Sequence, residues 1–186
     1  MPVKSILSRA DKQIIQEAVQ QELYASHLYK QVANFMQRAG YFGAQAFFSG
    51  EAKDELDHYE KHVQFMNDMG DVAEVPALPA ITKRPDGLEA AIQLGFDTEL
   101  ALGQKYEGWY RAASSEMTRQ HLLRFLEIQR KSIGEYGDWL ARIERAAGDD
   151  IRRRERHDRV RRHEHARERR RGQRLPAVHA HHGGAE

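Results

Sequence analysis

The chain has no cysteine. That excludes disulfides, thiolate zinc sites, iron-sulfur clusters and a cysteine nucleophile, so any metal site must be built from oxygen and nitrogen. Long apolar runs are missing too. No stretch approaches the roughly 18 apolar residues of a membrane span, and the opening MPVKSILSRADK lacks an apolar run followed by a small-residue cleavage site. A soluble cytoplasmic protein with no membrane partner is the expectation. Lysine is absent from one region: between Asp150 and Glu186 all 12 basic residues are Arg, against 6 acidic ones. The residues through Asp149 carry 17 basic and 22 acidic side chains, so the formal charge of +1 conceals an acidic body and a basic end.

What is present reads as helix. With 186 residues and 40% hydrophobic content there is room for one domain of ordinary size. Four long segments carry apolar residues at spacings of three and four. The first runs from about Ser5 to Arg38, with Ile15, Ala18, Glu22, Ala25, Tyr29, Val32 and Met36 on one face. The second runs from Tyr41 to Met69, with Ala44, Phe48, Glu51, Glu55, His58, His62, Phe65 and Met69. The third spans Gly87 to Ala113, with Ile92, Gly95, Glu99, Leu102, Tyr106 and Trp109. The fourth spans Met117 to Ala147, with Leu122, Leu126, Gln129, Ile133, Tyr136, Leu140 and Ile143.

The connections set the topology. Short turns at Gly40 and at Ser114–Ser115 predict two antiparallel hairpins. The link from Gly70 to Asp86 has 17 residues, including Pro76, Pro79 and Pro85, and reaches about 55 Å when extended. A helix of about 27 residues is only about 40 Å long. The link can therefore run the length of the bundle and make the second and third helices parallel, giving an all-α four-helix bundle with one long crossover.

The stripes carry an anomaly. Glu22, Glu55 and Glu99 sit on faces that should be buried, and no Lys or Arg shares those faces. Glu22 lies 18 residues before Gly40 and His58 lies 18 after it, so the hairpin brings them level. Glu55 and His58 are three apart, side by side on one helix face. Three buried carboxylates without cations would each cost several kcal/mol to desolvate, which two divalent ions would offset. Carboxylate plus imidazole fits iron(II) or manganese. Tyr29, on the Glu22 stripe, is placed either to bond a ligand or donate an electron, or simply to pack in the core. Glu51 and His62 flank the pair as accessory ligands or as hydrogen-bonded residues at the core edge. Glu127 and Glu135 lie off the stripe and are expected in solvent.

On Glu22-Leu23-Tyr24-Ala25-Ser26-His27-Leu28-Tyr29, Asp54-Glu55-Leu56-Asp57-His58, Glu99 followed by Gln104-Lys105, and Glu74-Val75-Pro76, the chain resembles the bacterial non-haem ferritins over residues 5 to 148. The resemblance implies a ferritin-like bundle and a ferroxidase centre for two Fe ions. Glu22, Glu55 and His58 would bind the first, Glu55 would bridge, and Glu99 would bind the second beside Tyr29. It implies oxidation of Fe(II) by O₂ or H₂O₂, storage of the ferric product, and a homo-oligomeric shell of 24 subunits. From the fourth helix the stripe offers Gln129 as a further ligand, while alignment on Phe125-Leu126 would place Ile133 or Gly134 there. Haem is not expected, because Leu56 stands where the haem-binding relatives carry methionine and the fourth helix lacks a Glu-x-x-His pair.

The expected domains are a bundle over residues 1–149 and an Arg/His-rich tail over 150–186. The tail's large apolar residues are Ile151, Val160, Leu175 and Val178, which predicts disorder or a solvated helix. It is open to three readings: non-specific nucleic-acid binding, metal collection by His157, His163, His165, His179, His181 and His182, or the product of a reading-frame change. A nucleic-acid-associated protective ferritin is the alternative function.

Overall fold

Ser8 and Asp11 decide where the first helix begins. In the computed structural model, which describes residues 4–172, Ser8 Oγ accepts from the Asp11 N–H at 3.0 Å and donates to Asp11 Oδ2 at 2.8 Å. This cap starts helix α1 at Arg9, four residues later than the apolar rhythm alone suggests. The elements are α1 (Arg9–Arg38), α2 (Phe42–Asp68), α3 (Leu88–Ala112) and α4 (Glu116–Gly172). No strand occurs among the described residues. Gly40 and Gly70, with φ of +84° and +77°, terminate α1 and α2 in the left-handed conformation that side chains disfavour.

The contacts divide the chain into two units, with the boundary between Ala141 and Arg142. In the first, α1 and α2 pack antiparallel: Ser26 Oγ donates to the Ala52 carbonyl at 2.6 Å, and the Tyr29 and Phe48 rings lie 5.9 Å apart. α3 and residues 116–141 of α4 are antiparallel too. The Tyr106 and Phe125 rings stack at 5.4 Å, and the α3 backbone at Gly95 comes so close to α4 that a Cβ there would stand 2.1 Å from the Tyr136 ring. Trp109 Nε1 donates to Glu17 Oε2 at 3.0 Å, making α3 antiparallel to α1 and hence parallel to α2.

Two glutamines of α1 carry the crossover that this topology needs. Gln16 exchanges two hydrogen bonds with the main chain of Glu74, at 2.7 and 2.9 Å. Gln31 donates to the carbonyls of Lys83 and Ile81 at 2.9 and 3.3 Å. The Arg84 guanidinium then lies 5.6 Å over the Phe35 ring. From residue 16 to residue 35 the link climbs about 28 Å of helix.

All seven residues expected on the α1 stripe are buried. At one end the core is mainly aliphatic, with Ile15, Met66, Leu102 and Leu122 around Trp109 and Phe125. At the other end Tyr29, Phe47, Phe48 and Tyr136 form an aromatic cluster. Between them lie buried polar side chains from all four helices.

The second unit contains residues 142–172 of α4, so the helix outruns its expected end near Ala147. Arg, Ala and Glu all favour helix. Charges three apart also pair along it, as in Arg152–Asp149 at 2.7 Å. No proline occurs before Pro176 to stop it. Ile151 is exposed, as are Arg152, Arg153, Arg154, Arg156 and Arg159. The tail residues Leu175, Val178, His179, His181 and His182 lie outside the described residues.

Candidate metal centre

α1 and α2 build the centre between them. One ligand atom each from Glu22, Glu55 and His58 lies within 4.8 Å of the other two, and all three residues are buried. His58 Nδ1 is 3.1 Å from Glu55 Oε2 and 3.7 Å from Glu22 Oε2. The i,i+3 spacing aligns the α2 pair, and the turn at Gly40 brings Glu22 across to it. The cationic partner of the two carboxylates is the His58 imidazole, while His62 Nε2 lies 3.8 Å from Glu22 Oε1. Glu22 Oε2 is buried without a hydrogen-bond partner and faces His58 Nδ1 at 3.7 Å.

Glu99 and Gln129 come from α3 and α4. Glu99 is fully buried and stands outside the 4.8 Å group. The Tyr29 hydroxyl donates to Glu99 Oε1. With its amide nitrogen turned toward Glu99, Gln129 donates to Glu99 Oε2 at 2.9 Å and to the Glu99 carbonyl at 3.0 Å. Of the alternatives for the fourth helix, Gln129 is therefore the residue that meets Glu99, while Ile133 packs near Gly103.

Burial and mutual repulsion set the protonation of the metal-free centre. Burial, then the Glu22 charge, pushes Glu55 up to about 8. Burial and the Glu55 charge push Glu99 up to about 8. Burial also raises Glu22, but the neighbouring Glu55 carboxyl and His58 imidazolium outweigh it and hold Glu22 below the usual carboxylate range. Burial lowers His58, yet the neighbouring Glu22 and Glu55 carboxylates prevail and lift it to about 10. Protons thus offset part of the charge that the three carboxylates would otherwise carry.

Further residues surround it. His62 is completely buried, deeper than the core edge, with Nε2 2.7 Å from the Tyr106 hydroxyl and Nδ1 2.9 Å from His121 Nε2. Tyr106 donates to Glu22 Oε1. Sequence reasoning treats Tyr106 only as a core residue and passes over His121, although His121, Phe125 and Gln129 share a spacing of four. Glu51 is half-buried, its carboxyl raised to about 8 by burial and the Glu99 charge. Glu127 and Glu135 are exposed.

A profile of the ferritin-like domain matches residues 12–146. The chain belongs to the ferritin-like family. The matched stretch contains Glu22, Glu55, His58, Glu99 and Gln129 and stops short of the basic end. This ferritin-like chain is similar to the probable bacterial non-heme ferritin-like protein of Haemophilus influenzae, at 25% identity over 54% of this chain and 61% of that one. It therefore spans about three fifths of that relative's length. The soma ferritin of Lymnaea stagnalis is 28% identical over 70% of this chain and 79% of its own. The bacterial non-heme ferritin of Staphylococcus haemolyticus is 31% identical over 40% of this chain and 45% of its own. Among solved structures, Chlorobium tepidum ferritin superposes with a TM-score of 0.71 at 20% identity, covering 75% of this chain and 87% of that one, which supports the fold. No helix among the described residues is long and apolar enough to cross a membrane.

Proposed function

We propose that the chain is an iron-storage ferroxidase of the cytoplasm, with iron as its substrate. The observation that carries this reading is the buried group of Glu22, Glu55 and His58, in which two carboxylates converge on one imidazole and Glu22 Oε2 has no hydrogen-bond partner. In this account Glu22, Glu55 and His58 hold one Fe(II), Glu55 is shared, and Glu99 with Gln129 holds a second. Tyr29 orients Glu99. Two Fe(II) give up one electron each, and O₂ takes both with two protons to form H₂O₂. Holding the irons side by side lets the oxidant accept the pair in one encounter. The ferric product is stored inside a homo-oligomeric shell, with residues 1–149 as the working domain and residues 150–186 as an appendage.

Stopped-flow absorbance after adding two Fe(II) per chain in air tests it. The intact protein should oxidise iron through a fast transient that Glu55→Ala and Glu99→Ala both abolish. Oxidation no faster than in buffer would overturn the assignment.

The basic end favours a second reading, a protective ferritin that binds nucleic acid. Exposed arginines on a helix fit a phosphate backbone through salt-dependent, sequence-independent contacts. DNA retardation that weakens with salt and vanishes on deleting residues 150–186 is the expected result, and retardation unchanged by the deletion refutes it.

A further inference from the structure

Glu22 has two carboxylate oxygens in different situations. Oε1 accepts from the Tyr106 hydroxyl and lies 3.8 Å from His62 Nε2. Oε2 has no donor and faces His58 Nδ1 at 3.7 Å. The asymmetry continues outward. Because the single Tyr106 hydroxyl proton goes to Glu22, the Tyr106 oxygen must accept from His62 Nε2, 2.7 Å away. With its proton on Nε2, neutral His62 leaves Nδ1 as an acceptor, and His121 Nε2, at 2.9 Å, must donate to it. The chain therefore has one direction: His121 to His62 to Tyr106 to Glu22. Its rings are held by stacking, His121 on Phe65 at 4.1 Å and His62 on Phe125 at 4.0 Å. Its outer member lines a cavity of about 410 Å³ between α2 and α4, walled also by Lys61, Gln64, Asp68 and Arg124.

We propose that Tyr106, backed by His62 and His121, is a positioning residue: it holds Glu22 Oε1, so that Glu22 presents Oε2 alone to a divalent ion shared with Glu55 and His58. This rests on the metal-centre reading above. A carboxylate held at one oxygen binds monodentately and in a fixed direction, whereas a released one is free to rotate or chelate through both. The same logic governs the hydrogen-bonded partners of metal ligands generally, whose loss costs about 10–100-fold in affinity. His121 acts through two hydrogen bonds on Tyr106 and so through three on Glu22. Without its N–H, His62 Nδ1 has no donor, and the imidazole loses the partner that selects its tautomer.

The test measures Co(II) binding to the full chain from its visible absorption, taking the component that Glu55→Ala removes. Tyr106→Phe keeps the stacked ring and should weaken that component about 10–100-fold with a changed band pattern. His121→Leu should weaken it in the same direction, while His121→Gln, whose amide N–H still reaches His62, should recover most of the affinity. The rescue separates hydrogen-bond positioning from packing, since Gln and Leu fill similar space, and equal helical circular dichroism across the set verifies folding. Glu55-dependent binding that is unchanged in Tyr106→Phe overturns the proposal alone. Equal behaviour of His121→Leu and His121→Gln removes the histidines from it. Absence of any Glu55-dependent Co(II) binding overturns it together with the metal centre on which it rests.

Discussion

Loading the metal-free centre with two divalent ions should expel the protons that burial and mutual repulsion hold on Glu55, Glu99 and His58. At pH 7 the carboxyls of Glu55 and Glu99, both raised to about 8, are mostly protonated, and so is His58, raised to about 10. Glu22, held low, is already ionised. Binding requires carboxylates and a neutral imidazole, so about three protons should leave per chain at pH 7. At pH 9.5 only His58 retains a proton to lose, and the release should fall to about one. The sign follows directly: because the metal-free state holds more protons, affinity rises with pH. Near pH 7 the overall constant for two ions should climb about a thousandfold per pH unit, or ~4 kcal/mol. Mn(II) is the suitable probe, since it prefers carboxylates over the histidines of the basic end. Calorimetric titrations in two buffers of different ionisation enthalpy count the protons, and Glu99→Gln should lower the count by about one. A release below about one and a half at pH 7, or one independent of pH, would refute the account of a centre occupied by protons.

The same shifts govern the metal-free fold. Glu55 and Glu99 titrate above their unfolded value of 4.5, so their contribution is full below pH 4.5 and is lost as pH rises through about 8. The buried His62 and His121, lowered to about 3, oppose this trend below pH 6.5, so the thermal midpoint of chelated protein should fall between pH 7 and pH 9, and Mn(II) should restore most at the alkaline end; a flat profile contradicts this. Asp11 is fully buried and accepts from the Ser114 N–H at 2.9 Å and Ser114 Oγ at 2.6 Å, tying the start of α1 to the turn before α4. Asp11→Ala should cost about 2–4 kcal/mol in urea unfolding, with a loss under ~1 kcal/mol counting against the tie. Gly95→Ala should destabilise by at least 1–3 kcal/mol, roughly, because its methyl would meet the Tyr136 ring at 2.1 Å. An unchanged thermal midpoint would mean that α3 and α4 separate easily there.

Different parts of the molecule were legible to different depths. The α1 stripe was readable throughout because a 30-residue helix repeats its pattern many times and every inward position obeys it. Glu22, Glu55 and His58 were readable because one spacing is local and the other is a count from Gly40. On α4 the pattern misled by one residue: Phe125 is buried while Leu126 is only half so, since both are apolar and periodicity alone cannot rank neighbours. Tyr106 and His121 were hidden for another reason. A tyrosine on an apolar stripe looks like core whether or not its hydroxyl has a partner, and the bonds from α1 through α3 and α2 to α4 depend on how the helices are rotated against one another. The start of α1 was in the sequence, as Ser8 and Asp11 three apart, but apolar rhythm does not weigh a cap.

The crossover is held through its main chain as well as through the side chains of Asp71 and Arg84, which meet Lys12 and Phe35. Gln16 and Gln31 bind the peptide groups of Glu74, Ile81 and Lys83, none of which contributes a side-chain atom to those bonds. Part of the route is therefore written on α1, and between its side-chain anchors at Asp71 and Arg84 the strap is bound at Glu74, Ile81 and Lys83 whatever side chains stand there. Two point changes in the helix should loosen the segment at three peptide groups that changes of its own side chains at Glu74, Ile81 and Lys83 would leave bound.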